Sequence, residues 1–279
     1  MSTEPRAERP RKPRIAILFG GRSSEHAVSC SSAASVLRAI DREAFDVVPI
    51  GIARDGRWVL VPDDPQALEL RRGHLPEVDG SGEAIVAPLA TTDRRLRALD
   101  QADVVRELGE VDVVFPVLHG PWGEDGTVQG MLDLSDVRYV GSGVLASAAG
   151  MDKHYMKVIF AGHGLPIGPY AVVTDRAWRA DPASAMAAAH ALGFPVFVKP
   201  ARAGSSMGIT RVNDDADLQE AIETAREHDP KVIIEAAIFG REIECAVLEG
   251  RGTDAPRTSA VGEIAVVQGH EFYDFEAKY

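Results

Sequence analysis

Residues 14–19, RIAILF, form a short unbroken apolar run, and the positions after it change character at once. GGRSSEH follows, then AVSCSSAASVLRAI, with small and apolar residues at helical spacing. This is strand, glycine turn and helix, the opening of a parallel α/β unit. FDVVPIGI predicts a second strand. VDVVFPVL at 111–118 predicts a third, continuously apolar as in strands covered on both faces. It runs into the loop HGPWGEDG, after which TVQGMLDL predicts a helix with Asp125 as its N-cap. RYVGSG predicts a short fourth strand. Residues 14–145 therefore read as an N-terminal doubly wound parallel-sheet domain of the α/β class, in which residues 62–100 form a polar, weakly patterned insertion without assignment.

The composition shifts across GSGVLASAAGM, near 141–151. Beyond it the pattern predicts a helix over DKHYMKVIFAGHG stopped by glycine, a strand at PYAVV and an alanine-rich helix over ASAMAAAHALG. FPVFVKP is a strand that opens into the glycine–serine loop RAGSSMGIT. DADLQEAIETAREHD is an amphipathic helix, acidic at its start and basic later, and KVIIEAAI is a strand. REIECAVLEG and AVGEIAVVQ alternate as two strands of a hairpin around RGTDAPRTS. This half is an α+β layout with antiparallel strands.

Composition narrows the classes. The 279 residues correspond to roughly two domains. Acidic residues number 42 against 30 basic ones, a net charge of −12, which argues against a nucleic-acid partner. No apolar run reaches the roughly 18 residues of a membrane span. Cys30 and Cys245 read as reduced thiols and, with residues 1–13 a disordered polar tail and no secretory signal, point to the cytoplasm. Arginine outnumbers lysine 24 to 6. Lys157 and Lys231 read as solvated positions, whereas Lys153, Lys199 and Lys278 fall in unusual local contexts.

Four constellations carry candidate chemistry. In FPVFVKPARAGSSMGIT, Lys199 ends a buried strand and precedes a loop of small residues whose amides at 203–208 suit a polyphosphate. A flexible surface loop after a strand-end lysine reads the same pattern equally well. In KVIIEAAIFGREIE, a planar heterocycle fits between the strands: its exocyclic amine donates to Glu235, the Ala236–Ile238 backbone serves its ring nitrogens, and Glu242 accepts from ribose hydroxyls. An edge hairpin with solvated glutamates is the simpler reading of those residues alone. In GGRSSEH, Glu25 at the head of a helix disfavours phosphate and suits an ammonium, or merely complements the helix dipole with Ser23 or Ser24 as cap. VLHGPWGEDGT lies at the carboxyl end of a parallel strand, where α/β sheets bind ligands, and presents His119.

Taken in order, FGGRSSEHAVS, HGPWGEDGTVQG, GSGVLASAAGMDK, VFVKPARAGSSMG, IIEAAIFGREIE and FYDFEAKY resemble the D-alanine–D-alanine ligases of the ATP-grasp superfamily, from residue 14 to the last. The resemblance implies a Rossmann-like substrate domain at 14–145, a central ATP-grasp subdomain at 146–235 and the start of a C-terminal one at 236–279. It implies ATP-dependent ligation of two D-alanines through an acyl phosphate, for peptidoglycan. Lys153 and Lys199 would hold ATP phosphates together with the Gly204, Ser205 and Ser206 loop, and Lys278 would approach the γ-phosphate. Glu235, Ala236, Ile238 and Glu242 would receive adenosine. Glu25 would hold the ammonium of the first D-alanine beside His119, and Glu25, Ser205 and Tyr279 would form a hydrogen-bonded set over the site. Tyr279 stands where D-lactate-forming relatives often carry histidine, which implies an amine as second substrate.

The resemblance further implies a homodimer, Mg²⁺ ligands beyond residue 279, and a chain truncated within its C-terminal ATP-grasp region and therefore inactive by itself. Two other readings compete: another ATP-grasp ligase, including a D-alanine–D-lactate ligase, and a non-catalytic nucleotide-binding module.

Overall fold

The first apolar run becomes β1 (Arg14–Gly20) at the heart of a seven-stranded sheet. The structure is a computed structural model that describes residues 11–71, 73–87, 90–100, 102 and 104–264. Helix α1 (His26–Ala39) returns the chain to β2 (Asp46–Ile52). Then come β3 (Trp58–Leu60), β4 (Ala84–Val86), β5 (Arg95–Leu99), β6 (Val105–Glu110) and β7 (Val113–Pro116). Helices α2 (Thr127–Leu134) and α3 (Val144–Met151) follow, and the chain divides after Asp152 into a first unit, 1–152, and a second, 153–279.

The sheet order is β6-β5-β4-β3-β2-β1-β7. Only β2, β1 and β7 are mutually parallel, and the strands from β3 to β6 extend the sheet antiparallel. The insertion without a sequence assignment thus supplies β4 and β5. Their strands are short, with exposed residues between buried Ile85, Leu96 and Ala98, so they lack the long apolar runs of the parallel part. RYVGSG forms only a parallel bridge between Tyr139 and Val114. Gly126, in the left-handed region, takes the N-cap position of α2, and Asp125 sits one residue earlier, accepting from Thr127 N at 3.0 Å. Both faces of the parallel strands are covered: Ile17 and Phe19 pack with Cys30, Ala33 and Leu37 of α1, while Ala16 and Leu18 pack with Val128 and Leu132 of α2. Burial pushes the Cys30 thiol up to about 12, which leaves it an inert core residue.

The second unit opens with α4 (Lys153–Gly162), β8 (Tyr170–Thr174), α5 (Asp175–Ala180) and α6 (Pro182–His190). Thr174 and Asp181 cap the latter two, accepting from Ala177 N and Ser184 N. Then β9 (Val196–Pro200), β10 (Thr210–Val212), α7 (Leu218–His228) and β11 (Lys231–Ala236) complete an antiparallel sheet of order β10-β9-β11-β8. The predicted hairpin is broken into two pairs, β12 (Glu242–Glu244) with β15 (Gly262–Ile264), and β13 (Val247–Leu248) with β14 (Arg257–Thr258).

Alternation decides what each face of this four-stranded sheet carries. Val173, Val196, Val198, Val232 and Ile234 join Leu218, Ile222 and Ala225 of α7 and Ala185 and Ala189 of α6 in one core. Phe197, Lys199 and Glu235 therefore face the other way. Ile222 is fully buried in that core. Ile222→Ala is expected to cost the second unit about 2–5 kcal/mol. Urea unfolding followed through Trp178, the only tryptophan of residues 153–279, measures it.

Candidate functional site

In the first unit the turn after β1 and the loop after β7 lie side by side, because both strands end in register, Leu18 opposite Pro116. They are stitched by small polar side chains. Ser29 of α1 accepts from Gly20 N at 2.8 Å and donates to Val117 O at 2.5 Å. Ser23 donates to His119 O at 2.7 Å, and Ser32 Oγ lies 2.9 Å from His119 Nε2. Buried His26 is fixed as its Nδ1–H tautomer, donating to Gly21 O at 2.6 Å and accepting from Val78 N at 3.0 Å. Burial lowers its pKa, so it is a neutral strut.

Glu25 is the N-cap residue of α1 and is 4% exposed. The Ser23 hydroxyl accepts from Glu25 N rather than capping the helix. A Cβ on Gly120, whose φ is +73°, would come within 2.4 Å of Glu25 Oε2, so the loop backbone lies directly against the carboxylate. Gly120 N in turn donates to Glu124 Oε2 at 2.6 Å, and Asp125 accepts from Trp122 N at 2.9 Å. Arg22 lies over the Trp122 ring at 4.5 Å. Arg22, Ser23, His119 and Trp122, with Ile52, Trp58 and Leu118, line a pocket at the carboxyl ends of the parallel strands, where open α/β sheets bind ligands; Glu25 is not among its lining residues.

In the second unit the polar face of the sheet gathers charge. Glu235 Oε1 accepts from Lys157 Nζ of α4 at 2.7 Å, and Oε2 is held by Lys199 Nζ of β9. Lys199 and Glu235 are diagonal neighbours on one face, since Glu235 pairs with Phe197 and Lys199 with Ile233. Burial works against ionisation of Glu235, but the two ammoniums outweigh it and hold the carboxyl below its usual range. Lys153 donates to Ala203 O at 2.7 Å, which ties α4 to the glycine–serine loop. Ser205 and Ser206 in that loop have φ of 44° and 58°, left-handed values that few non-glycine residues adopt. Met207 N closes a turn on Gly204 O. The loop is rooted by buried Asp229, which accepts from the Arg202 backbone N, the Arg202 guanidinium and Lys231 N.

Of the residues read from the sequence, the first unit brings Glu25 and His119 to one turn–loop pair, and the second brings Lys153, Lys199, Gly204, Ser205, Ser206 and Glu235 to one sheet face and its loop. Ala236 ends β11, and its N–H donates to Pro169 O. Ile238 is 74% exposed and Glu242 opens exposed β12. Lys278 and Tyr279 lie outside the described residues. Lys157 and Lys231 are not the solvated positions their sequence suggested. Lys157 is 11% exposed against Glu235, and Lys231 lies over the Tyr155 ring at 4.5 Å. The sequence held one sign of Lys157: it stands four residues after Lys153, on the same helical face. Arg202 and Asp229 had no such signal, being 27 residues apart. No group of three or more His, Cys, Asp and Glu side chains suited to a metal ion exists among the described residues. By themselves these residues do not fit Mg²⁺.

Comparison with known proteins agrees with both units. Residues 14–142 match the family model described as D-ala D-ala ligase N-terminus, and residues 159–279 match D-ala D-ala ligase C-terminus. A D-alanine–D-alanine ligase of Arthrobacter sp. (strain FB24) is 61% identical over 96% of this chain and 70% of its own. One of Kineococcus radiotolerans is 57% identical over 100% of this chain and 73% of its own. Among solved structures, the VanG D-Ala:D-Ser ligase of Enterococcus faecalis superposes with a TM-score of 0.78 at 36% identity, covering 96% of this chain and 74% of its own. The D-alanine–D-alanine ligase of Coxiella burnetii gives 0.76 at 32% identity, covering 91% of this chain and 68% of its own.

The geometry of the first unit makes two predictions. Gly120→Ala forces a side chain into the left-handed region, at about 1–2 kcal/mol, and displaces Glu25. Gly150→Ala, in α3 with open space around it, changes stability by no more than about 1 kcal/mol, in the stabilising direction. Denaturant titration of the two variants separates them. His26 takes up protons less readily folded than unfolded. Its burial therefore produces no slope above pH 6.5, and stability falls as pH drops below 6.5 toward the depressed native value. His26→Gln is expected to remove that component from the pH dependence of unfolding.

Proposed function

The chain belongs to the D-alanine–D-alanine ligase family of ATP-dependent ligases that supply peptidoglycan synthesis, and on that premise we propose how its residues divide the reaction. The first unit receives the first D-alanine, with the Glu25 carboxylate holding its ammonium and His119 beside it. The second unit receives ATP. Lys153, Lys199 and the 203–208 loop hold the phosphates, Glu235 accepts from the adenine amine, Ala236 and Ile238 flank the ring, and Glu242 accepts from the ribose. The single observation that carries this reading is the polar sheet face of the second unit. There a buried carboxylate and strand-end Lys199 meet beside a loop strained at Ser205 and Ser206. Strain of this kind is kept where the surrounding structure over-determines it, and it clusters at ligand clamps.

The chemistry follows from charge. The carboxylate of the first D-alanine attacks the γ-phosphorus of ATP, forming an acyl phosphate and releasing ADP. The amine of the second D-alanine then attacks the acyl carbon, the C–O bond to phosphate breaks, and phosphate leaves. Both reacting partners are anions in the first step, so lysines at the phosphates serve to neutralise and align them. Ser205 and Tyr279 join Glu25 in the same reading, as groups that exclude water, and Lys278 is assigned to the γ-phosphate. Residues 14–145 are assigned to substrate binding, 146–235 to the central ATP-grasp subdomain and 236–279 to the next. A cytoplasmic homodimer completes the reading; Leu134 and Leu145 of the first unit expose apolar surface for such a contact. No described helix is long and apolar enough to cross a membrane.

Calorimetric titration with ATP and with D-alanine tests the division. Lys199→Met is expected to weaken ATP binding about 10- to 100-fold, the scale of a lost charge-assisted contact, and Glu25→Gln to weaken D-alanine binding similarly while leaving ATP within about twofold. A Glu25→Gln variant that binds D-alanine as the parent does overturns the assignment. ADP release measured with D-alanine, D-serine and D-lactate as acceptors identifies the second substrate.

A further inference from the structure

The nucleotide assignment gives Glu235 and Lys199 different ligand groups, a purine amine and a phosphate. In the structure they hold each other, with Lys157 on the second carboxylate oxygen. ATP binding on that reading requires Lys199 to leave Glu235. A carboxylate 15% exposed, abandoned by its one cation, would be costly. Lys157 removes that difficulty. It reaches Glu235 from α4, a different element from β9, and its Nζ also lies over the Tyr170 ring at 5.5 Å. Its ammonium is thus held whether or not Lys199 moves.

We propose that Lys157 is a positioning residue of the nucleotide site: it keeps Glu235 Oε1 permanently engaged, so that Lys199 can transfer to phosphate while Oε2 passes to the 6-amino group of the purine. This rests on the nucleotide reading and deepens it. The exchange balances in charge: one ammonium goes from carboxylate to phosphate, one neutral N–H donor replaces it, and Lys157 still neutralises Glu235. The described neighbourhood holds few other ionisable groups. Tyr170 lies across from Glu235 on β8, His154 of α4 sits 6.0 Å from the Tyr170 ring, and Lys231 is four residues back on β11 against Tyr155. Lys157 and Lys199 are the two that pair with the carboxylate.

The test is calorimetric titration of the full chain with ATP and GTP, in two buffers of different ionisation enthalpy, for the parent and K157M, K157R, E235Q and K157M/E235Q. K157M is expected to bind ATP about tenfold or more weakly, to lose much of its preference for ATP over GTP, and to take up close to one proton on binding near neutral pH as Glu235 protonates. K157R recovers most of the affinity. In the E235Q background, K157M changes ATP affinity less than about twofold. A role in stability alone would lower the melting temperature without moving proton uptake or purine preference. Parent-like affinity and proton uptake in K157M overturn the proposal, as does an equal loss in both backgrounds. If K157M alone fails to fold, E235Q against K157M/E235Q decides it: matching affinities support it and a further tenfold loss overturns it. A parent chain that binds neither nucleotide overturns the nucleotide reading and this proposal together, whereas a parent that prefers ATP beside an unaffected K157M overturns only this one.

Discussion

A carboxylate can be kept on the buried face of a sheet only where cations meet it, and much of the second unit is arranged around that requirement. Glu235 sits one residue out of phase with Val232 and Ile234, so strand alternation alone sends it away from the core that those residues build. The same alternation in β9 places Val196 and Val198 in the core and Lys199 on the face of Glu235. A register slip of one residue between β9 and β11 would put the ammonium into the apolar layer and a valine against the carboxylate. Register is therefore specified twice over, by packing on one side and by charge on the other. Helix α4 completes the arrangement, with Lys157 on Glu235 and Lys153 on the loop that Lys199 introduces.

What was legible in the sequence follows from the range of the interactions involved. The strand–turn–helix opening at β1 and α1, the strand that ends at Lys199 and the amphipathic α7 all announce themselves through local periodicity. Strands β4 and β5 do not. They are three and five residues long, and their partners are one another, β3 and β6, so nothing within the segment itself signals a sheet. Lys157 was read as solvated because a lysine on a helix usually is. Its partner lies 78 positions further on, and only the fold brings that carboxylate within 2.7 Å. The residues proposed to carry chemistry were thus visible where they interrupt an apolar pattern, as Lys199 and Glu235 do. The contacts of Lys157 with Glu235, Arg202 with Asp229 and His26 with Val78 were hidden by sequence distance.

The two units solve opposite problems with different materials. Phosphate recognition calls for positive charge, and on the proposed assignment the second unit would keep an ammonium ready by pairing Lys199 with Glu235. The first unit is assigned an ammonium, which calls for a carboxylate. The frame of its turn and loop uses hydroxyls, backbone and a neutral imidazole: Ser23 bridges to His119 O, Ser29 joins Gly20 to Val117, and His26 spans Gly21 and Val78. Each of these contacts fixes position while adding no net charge. Buried and neutral, the His26 imidazole ties the turn at Gly21 to Val78 as a strut that carries no charge, so the first unit fixes the geometry of this turn by hydrogen bonds where the second fixes its sheet face by ion pairs.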